Sequence, residues 1–319
     1  MYYNHISKTA LVYFFKIGVN TLGYVIINAQ QKGGVGKTTD TVMEAVVASS
    51  LFNKKVLVID TDLQGNATTF LAKTYKDLNI NKSFMSCMED GDLEAGLVHL
   101  GPNIDMIASD YDTRKFGDFL ADKFKNTIDR TFYLKKLVDK LKDSYDFVFI
   151  DVPPSTDIKV DNAMACADYV IVIQETQQFA FDGSKKLVLT YLQTLADDFG
   201  DKINLQVAGI LPVLLQARRP LQTKIVRETI EYFGKDNVFN NIINNHARLE
   251  WYTAQGVQFQ DFHDKRIWAL FADIFCELQA RIESFEKTND VINFHYDHQY
   301  INQNRLTPLG KEMTVNGFN

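Results

Sequence analysis

The sequence predicts an α/β fold: a mostly parallel, twisted sheet with helices on both of its faces, in a single domain. Three observations carry that prediction. Short apolar runs recur along the chain, at Tyr24–Asn28, Val56–Ile59, Asn103–Ala108, Phe147–Ile150, Asp168–Ile173 and Leu205–Leu211. Stretches of helical patterning separate them, at Asp40–Ala48, Tyr111–Leu120 and residues 127–142. Buried strands alternating with helices imply parallel βαβ units with right-handed crossovers. A glycine-rich turn then joins the first strand to the first helix.

That turn reads Lys32-Gly33-Gly34-Val35-Gly36-Lys37-Thr38-Thr39. Glycines 33, 34 and 36 let backbone N–H groups converge on phosphate oxygens without Cβ interference. The following helix aims its positive N-terminal end at the same anion. Lys37 is placed to reach the β- and γ-phosphates, and the Thr38 hydroxyl to ligate Mg²⁺. Strand, glycine loop, lysine, hydroxyl and helix together form a nucleotide triphosphate site that spans Gly33, Gly34, Val35, Gly36, Lys37, Thr38 and Thr39.

Two carboxylates at strand ends complete the pattern. Val56–Ile59 runs into Asp60-Thr61-Asp62-Leu63-Gln64-Gly65-Asn66-Ala67-Thr68, and Tyr145–Ile150 runs into Asp151-Val152-Pro153-Pro154-Ser155. The C-terminal ends of parallel strands are where ligands bind in open α/β sheets. Mg²⁺ is held by few protein groups, with water and phosphate oxygens supplying the rest. A Thr38 hydroxyl and an Asp151 carboxylate meet that demand.

The usual P-loop is G-x-x-x-x-G-K-[ST]. Here Gln31 replaces its first glycine, and an extra lysine, Lys32, stands just inside the loop. This deviant loop resembles that of the ParA/MinD/Soj group of P-loop ATPases. The segment from Asp60 to Thr68 resembles that group's first switch, and Asp151-Val152-Pro153-Pro154-Ser155 its Walker B strand end. The resemblance implies an Mg²⁺-dependent ATPase that forms an ATP-sandwich homodimer. It makes Lys37 the cis lysine and Lys32 the lysine lent to the partner's phosphates. It makes Asp62 the residue that orients the attacking water. Asp60 joins Thr38 and Asp151 in the metal network, with Asp151 acting through water.

Composition fits such an enzyme. A chain of 319 residues with 46% hydrophobic content can bury a large core. Cys87, Cys166 and Cys276 are widely separated and odd in number, which argues against a disulfide framework. His295 and His298 alone approach a metal-ligand spacing, in a polar stretch where they are incidental. The apolar, aromatic run Thr9–Val19 is too short to span a bilayer and is interrupted by Lys16. The expected organisation is an N-terminal extension at residues 1–22, an ATPase domain at 23–286 and a polar tail at 287–319.

A formal net charge of −6 argues against a uniformly basic nucleic-acid binder. Local charge differs. Gln216–Lys224 with Arg227 forms a basic cluster, and Arg248 sits in His246-Ala247-Arg248-Leu249. Both segments resemble ParA motifs whose arginines touch DNA, which makes Arg218 and Arg248 the candidate DNA contacts. Gln216 departs from that pattern, as do Ile242-Ile243-Asn244. The resemblance therefore implies nonspecific DNA binding in a cytoplasmic, nucleoid-associated protein. It also implies stimulation by a small centromere-binding, ParB-like partner, often a ribbon-helix-helix protein, with no stable membrane association.

Two other readings remain open. The helix predicted at 265–285 carries an apolar stripe, which MinD relatives would use to position themselves on a membrane. A cluster carrier resembling the nitrogenase iron protein would need bridging cysteines, and Cys87 and Cys166 lie outside such motifs.

Overall fold

Tyr24–Ala29 (β1) is an interior strand of a seven-stranded sheet. The other strands are Val56–Asp60 (β2), Leu97–Gly101 (β3), Ile104–Ile107 (β4), Phe147–Asp151 (β5), Tyr169–Glu175 (β6) and Gln206–Val213 (β7). Their order is β3-β4-β2-β5-β1-β6-β7, with every pairing parallel except the edge hairpin of β3 and β4. The computed structural model describes residues 23–301 apart from 77 and 217. The expected extension at 1–22 and residues 302–319 of the expected tail lie outside the described residues.

Helices cover both faces, as the strand pattern requires. Lys37–Phe52 (α1) and Asn66–Tyr75 (α2) follow β1 and β2. Phe84–Asp90 (α3), Phe116–Lys123 (α4), Thr127–Thr131 (α5), Tyr133–Val138 (α6) and Ile158–Cys166 (α7) flank β5 in sequence. Gln178–Lys186 (α8) continues through a π-helical segment, Leu187–Leu192, into Gln193–Phe199 (α9). Pro220–Phe233 (α10), Ala247–Gln255 (α11) and Phe262–Thr288 (α12) complete the chain.

Alternate strand residues feed two separate cores. Ile26, Val58, Phe149 and Ile171 pack with residues of α1, α2, α11 and α12. Val25, Ile27, Leu57, Ile59, Val148 and Val170 pack with α3, α4, α6, α7 and the π segment. Burial on both faces explains why the strands read as continuous apolar runs. The expected helix at 127–142 is two short helices, parted by Phe132, which is neither helical nor extended (φ −99°, ψ 8°).

The apolar stripe on α12 is core. Ile267, Leu270, Phe271, Ile274, Phe275, Leu278 and Ile282 are all buried. Among the described residues no helix is long and apolar enough to cross a membrane. Beyond α12 the chain turns back on it. Asp273, fully buried, accepts hydrogen bonds from the Tyr296 hydroxyl (2.9 Å) and from the Gln299 (2.7 Å) and Ile301 (2.8 Å) amides. Arg281 is also buried, paired with Glu277 at 2.8 Å, and donates to the Ala208 and Val238 carbonyls. It thereby ties α12 to β7.

Candidate active site

The strand order places three loop origins side by side. β5 and β6 flank β1, and β2 lies outside β5, so the C-terminal ends of β2, β5 and β1 open onto one crevice. The chain leaves β1 through the loop 30–36. Gly34 (φ +75°) and Gly36 (φ +104°) adopt backbone conformations that side chains disfavour. Gly36 is the residue before α1, whose N-terminus has no side-chain cap. Its first amides are therefore available to an anion.

Two lysines frame this loop in different environments. Lys37 is buried, 6% exposed, and its Nζ donates to the Lys32 carbonyl at 3.4 Å. Burial pulls its pKa below the ordinary lysine value, while Asp151 and Asp62 push it back up. Lys32 is exposed at the rim, where its Nζ pairs with Glu175 at 2.5 Å.

The carboxylates meet across adjacent strands. Asp60 and Asp151 are register partners at the ends of β2 and β5. Thr38 Oγ1 donates to Asp151 Oδ2 at 2.9 Å, while Asp151 Oδ1 is buried with no hydrogen-bond partner. Burial, then the nearby Asp60 carboxylate, holds the Asp151 pKa well above the usual range. Asp60 uses both oxygens on its own loop: Oδ1 accepts from the Asp62 amide (3.0 Å), and Oδ2 from the Thr68 amide and hydroxyl (both 2.8 Å). Burial raises its pKa to about 6 despite those bonds. Asp62 Oδ1 caps the turn by accepting from the Gln64 amide at 3.0 Å.

A hydroxyl beside a buried carboxylate with an unpartnered oxygen is a hard-oxygen donor set of the kind Mg²⁺ takes. Among the described residues no group of three or more His, Cys, Asp or Glu side chains could hold a metal ion. Such a set must therefore be completed by water and phosphate.

Several residues of the site have no signal in the P-loop motif. Gln30 Nε2 ties the loop to the Ile173 carbonyl (3.1 Å) and to Ser184 (3.2 Å). Beneath the loop, Asp40 and Glu44 lie one helical turn apart and are buried, and Asn28 Nδ2 donates to Glu44 Oε2 at 2.8 Å. Burial lifts the Glu44 pKa to about 8 and holds that of Asp40 well above the usual range. The Asp-x-x-x-Glu spacing just after the loop is the one trace of this pair in the sequence.

The two arginine segments are neighbours. Leu215 and Asn244 form a parallel bridge, with Leu215 N donating to the Ile243 carbonyl (3.1 Å) and Asn245 N to the Leu215 carbonyl (3.0 Å). Arg218, before α10, is exposed. Arg248, in the first turn of α11, pairs with Asp261 (2.5 Å) and Asp264 (3.5 Å) and lies over the Trp251 ring.

Comparison with known proteins decides the family. The model of an AAA domain family matches residues 23–206, which hold the loop and both strand-end carboxylates. The chromosome-partitioning ATPase Soj of Treponema pallidum is 32% identical over 246 residues, covering 76% of this chain and 90% of that protein. The chain belongs to the ParA/Soj family of partition ATPases. The sporulation initiation inhibitor protein Soj of Bacillus subtilis is 29% identical, covering 72% of this chain and 87% of its own.

Solved structures agree on the family fold. A putative plasmid partition protein from Borrelia burgdorferi bound to AMPPNP superposes with a TM-score of 0.64 at 22% identity, covering 82% of this chain and 99% of that one. Cobyrinic acid a,c-diamide synthase from Mycobacterium smegmatis, with bound ADP and magnesium, reaches 0.62 at 20% identity, covering 84% and 97%. That enzyme shares the ParA fold under a different name, so fold alone does not select the activity.

Proposed function

We propose that this chain is an Mg²⁺-dependent DNA-partition ATPase that works as an ATP-sandwich dimer. The observation that carries the reading is the separation of its two loop lysines. Lys37 is buried inside the phosphate cradle, while the Lys32 side chain is 41% exposed at the rim. A cation at the rim can serve a second copy's phosphates, and one inside cannot.

Each step follows from the groups present. The uncapped first turn of α1 and the amides of Gly33, Gly34, Val35, Gly36 and Thr39 receive the phosphate oxygens. Lys37, stripped of water, neutralises the β- and γ-phosphates more strongly than an exposed cation would. Thr38 and, through water, Asp151 would present the oxygens that hold Mg²⁺, and Asp60 fixes the switch loop that carries Asp62. The metal, when bound, neutralises charge on the β- and γ-phosphate oxygens. Asp62, 8% exposed, orients the attacking water in this reading. Lys32 of the second copy supplies charge that a single protomer lacks. Phosphoryl transfer depends on such positioning and charge stabilisation rather than on covalent chemistry by the protein.

The arginines make DNA binding a consequence of pairing. One protomer offers few phosphate contacts, and its overall charge is negative, so binding is weak and salt-sensitive. Two copies double the Arg218 and Arg248 set and raise avidity without a new contact. ATP therefore switches DNA binding on, and hydrolysis, prompted by a centromere-binding partner, switches it off. The test is co-sedimentation with nonspecific DNA in ADP, ATP and a nonhydrolysable analogue. Retention with ATP and the analogue but not ADP supports the reading. Equal retention in all three contradicts it.

A further inference from the structure

Glu175 is the last residue of β6, and β6 pairs with β1, so the end of one strand adjoins the phosphate loop that leaves the other. There Glu175 Oε2 accepts from Lys32 Nζ at 2.5 Å. Gln177 braces both partners: its Nε2 donates to Glu175 Oε1, and its Oε1 accepts from Lys32 Nζ at 3.5 Å. The Glu175 side chain is 14% exposed, so its carboxylate is well anchored, and only the lysine stands in solvent.

The cation required across the proposed dimer interface is thus engaged within its own chain. We propose that Glu175, braced by Gln177, is a positioning residue that stows Lys32 on its own protomer until the triphosphate of a second copy competes for it. The inference rests on the reading of Lys32 as the lent cation. A partly exposed ion pair is weak enough to break, and a triphosphate carries more charge than one carboxylate. The exchange therefore runs toward the dimer only when nucleotide is loaded. Once Lys32 leaves, the Gln177 amide still satisfies one Glu175 oxygen and water the other, so no buried charge is stranded. The latch raises the nucleotide concentration needed to pair and suppresses pairing of empty subunits.

The experiment follows dimer formation by analytical ultracentrifugation against a nonhydrolysable ATP analogue with Mg²⁺, at two salt concentrations. Wild type is compared with Glu175→Gln, Gln177→Ala, Lys32→Ala and the Lys32→Ala/Glu175→Gln double variant. Glu175→Gln keeps the size and hydrogen-bonding capacity of the side chain, and Gln177→Ala is a second, exposed probe. The half-maximal analogue concentration is expected to fall about two- to fivefold in Glu175→Gln, the scale of a partly exposed ion pair. Gln177→Ala should shift it less, in the same direction. Added salt should shrink the difference from wild type, and Glu175→Gln should change nothing on the Lys32→Ala background. An unchanged or raised half-point in Glu175→Gln, with Lys32→Ala defective, overturns the latch alone. A Lys32→Ala protein that pairs like wild type overturns the lent-cation reading, and the latch with it.

Discussion

Thr38 and Asp151 are 113 residues apart in sequence, and a 2.9 Å hydrogen bond joins their side chains at the mouth of the phosphate loop. It leaves the second Asp151 oxygen buried and unpartnered, which is costly unless a proton or a cation meets it. Thr38→Ala removes the hydroxyl without opening a large cavity. It should raise the Mg²⁺ concentration for half-maximal ATPase by at least about tenfold, the penalty of losing one strong ligand interaction. Steady-state turnover against Mg²⁺ checks this, and an unchanged half-point contradicts it.

Proton and metal compete at Asp151, and the charge of a bound cation also favours the ionised form of its register partner Asp60. Burial raises the Asp60 pKa to about 6 and holds that of Asp151 well above its ordinary value. Below these pKa values the acids are neutral and must release protons to meet a cation. Mg²⁺ affinity should therefore rise with pH through about 6. Isothermal titration with Mg²⁺ and an ATP analogue at pH 5.5 and 7.5 should show tighter binding at the higher pH, with net proton release.

Glu44 gives a stability prediction of defined sign. Its folded-state pKa is about 8 against an ordinary 4.5, because burial disfavours the charge. Between those values the folded chain holds a proton that the unfolded chain has released, so stability falls as pH rises through this window and levels off above about 8. Glu44→Gln cannot lose that proton. Denaturant unfolding from pH 5 to 9 should give a shallower decline in the variant than in wild type.

Asp62 is the residue whose loss should separate binding from hydrolysis. Asp62→Ala should retain nucleotide-driven pairing while turnover drops at least about a hundredfold, as expected when a group acts only in the transition state. Lys37→Ala should lose nucleotide binding itself. A fast Asp62→Ala enzyme removes the water-orienting role.

The arginines differ as probes. Arg218 is exposed, so Arg218→Ala should weaken DNA co-sedimentation and leave thermal stability unchanged. Arg248 is tied to Asp261 and Asp264 at the start of α12, so Arg248→Ala should also lower the unfolding midpoint. DNA affinity that survives both substitutions at moderate salt contradicts the assignment.

The sheet was legible because burial on both faces writes continuous apolar strands. Each of the six expected runs overlaps a strand of the structure, and Val56–Ile59 and Phe147–Ile150 each stop one residue short of the strand's terminal aspartate. The edge strand β3 was not, because Leu97–Gly101 carries His99 on an exposed face and two glycines nearby. The phosphate loop was legible because its chemistry is local: glycines, a lysine and a hydroxyl in fixed succession. The Glu175 contact was not, since Lys32 and Glu175 are brought together by strand order, which no local pattern encodes. The buried pair Asp40 and Glu44 was hidden for another reason. Polar residues in a helix read as a solvated face, and only the packing of α1 against the sheet shows that this face points inward.

The account turns on pairing of two chains across bound nucleotide. Sedimentation of the purified protein with saturating Mg²⁺ and a nonhydrolysable triphosphate should give a dimer that reverts to monomer when ADP is substituted. A Lys32→Ala chain should stay monomeric in both. A wild-type chain that remains monomeric with the saturating analogue contradicts the account at its root.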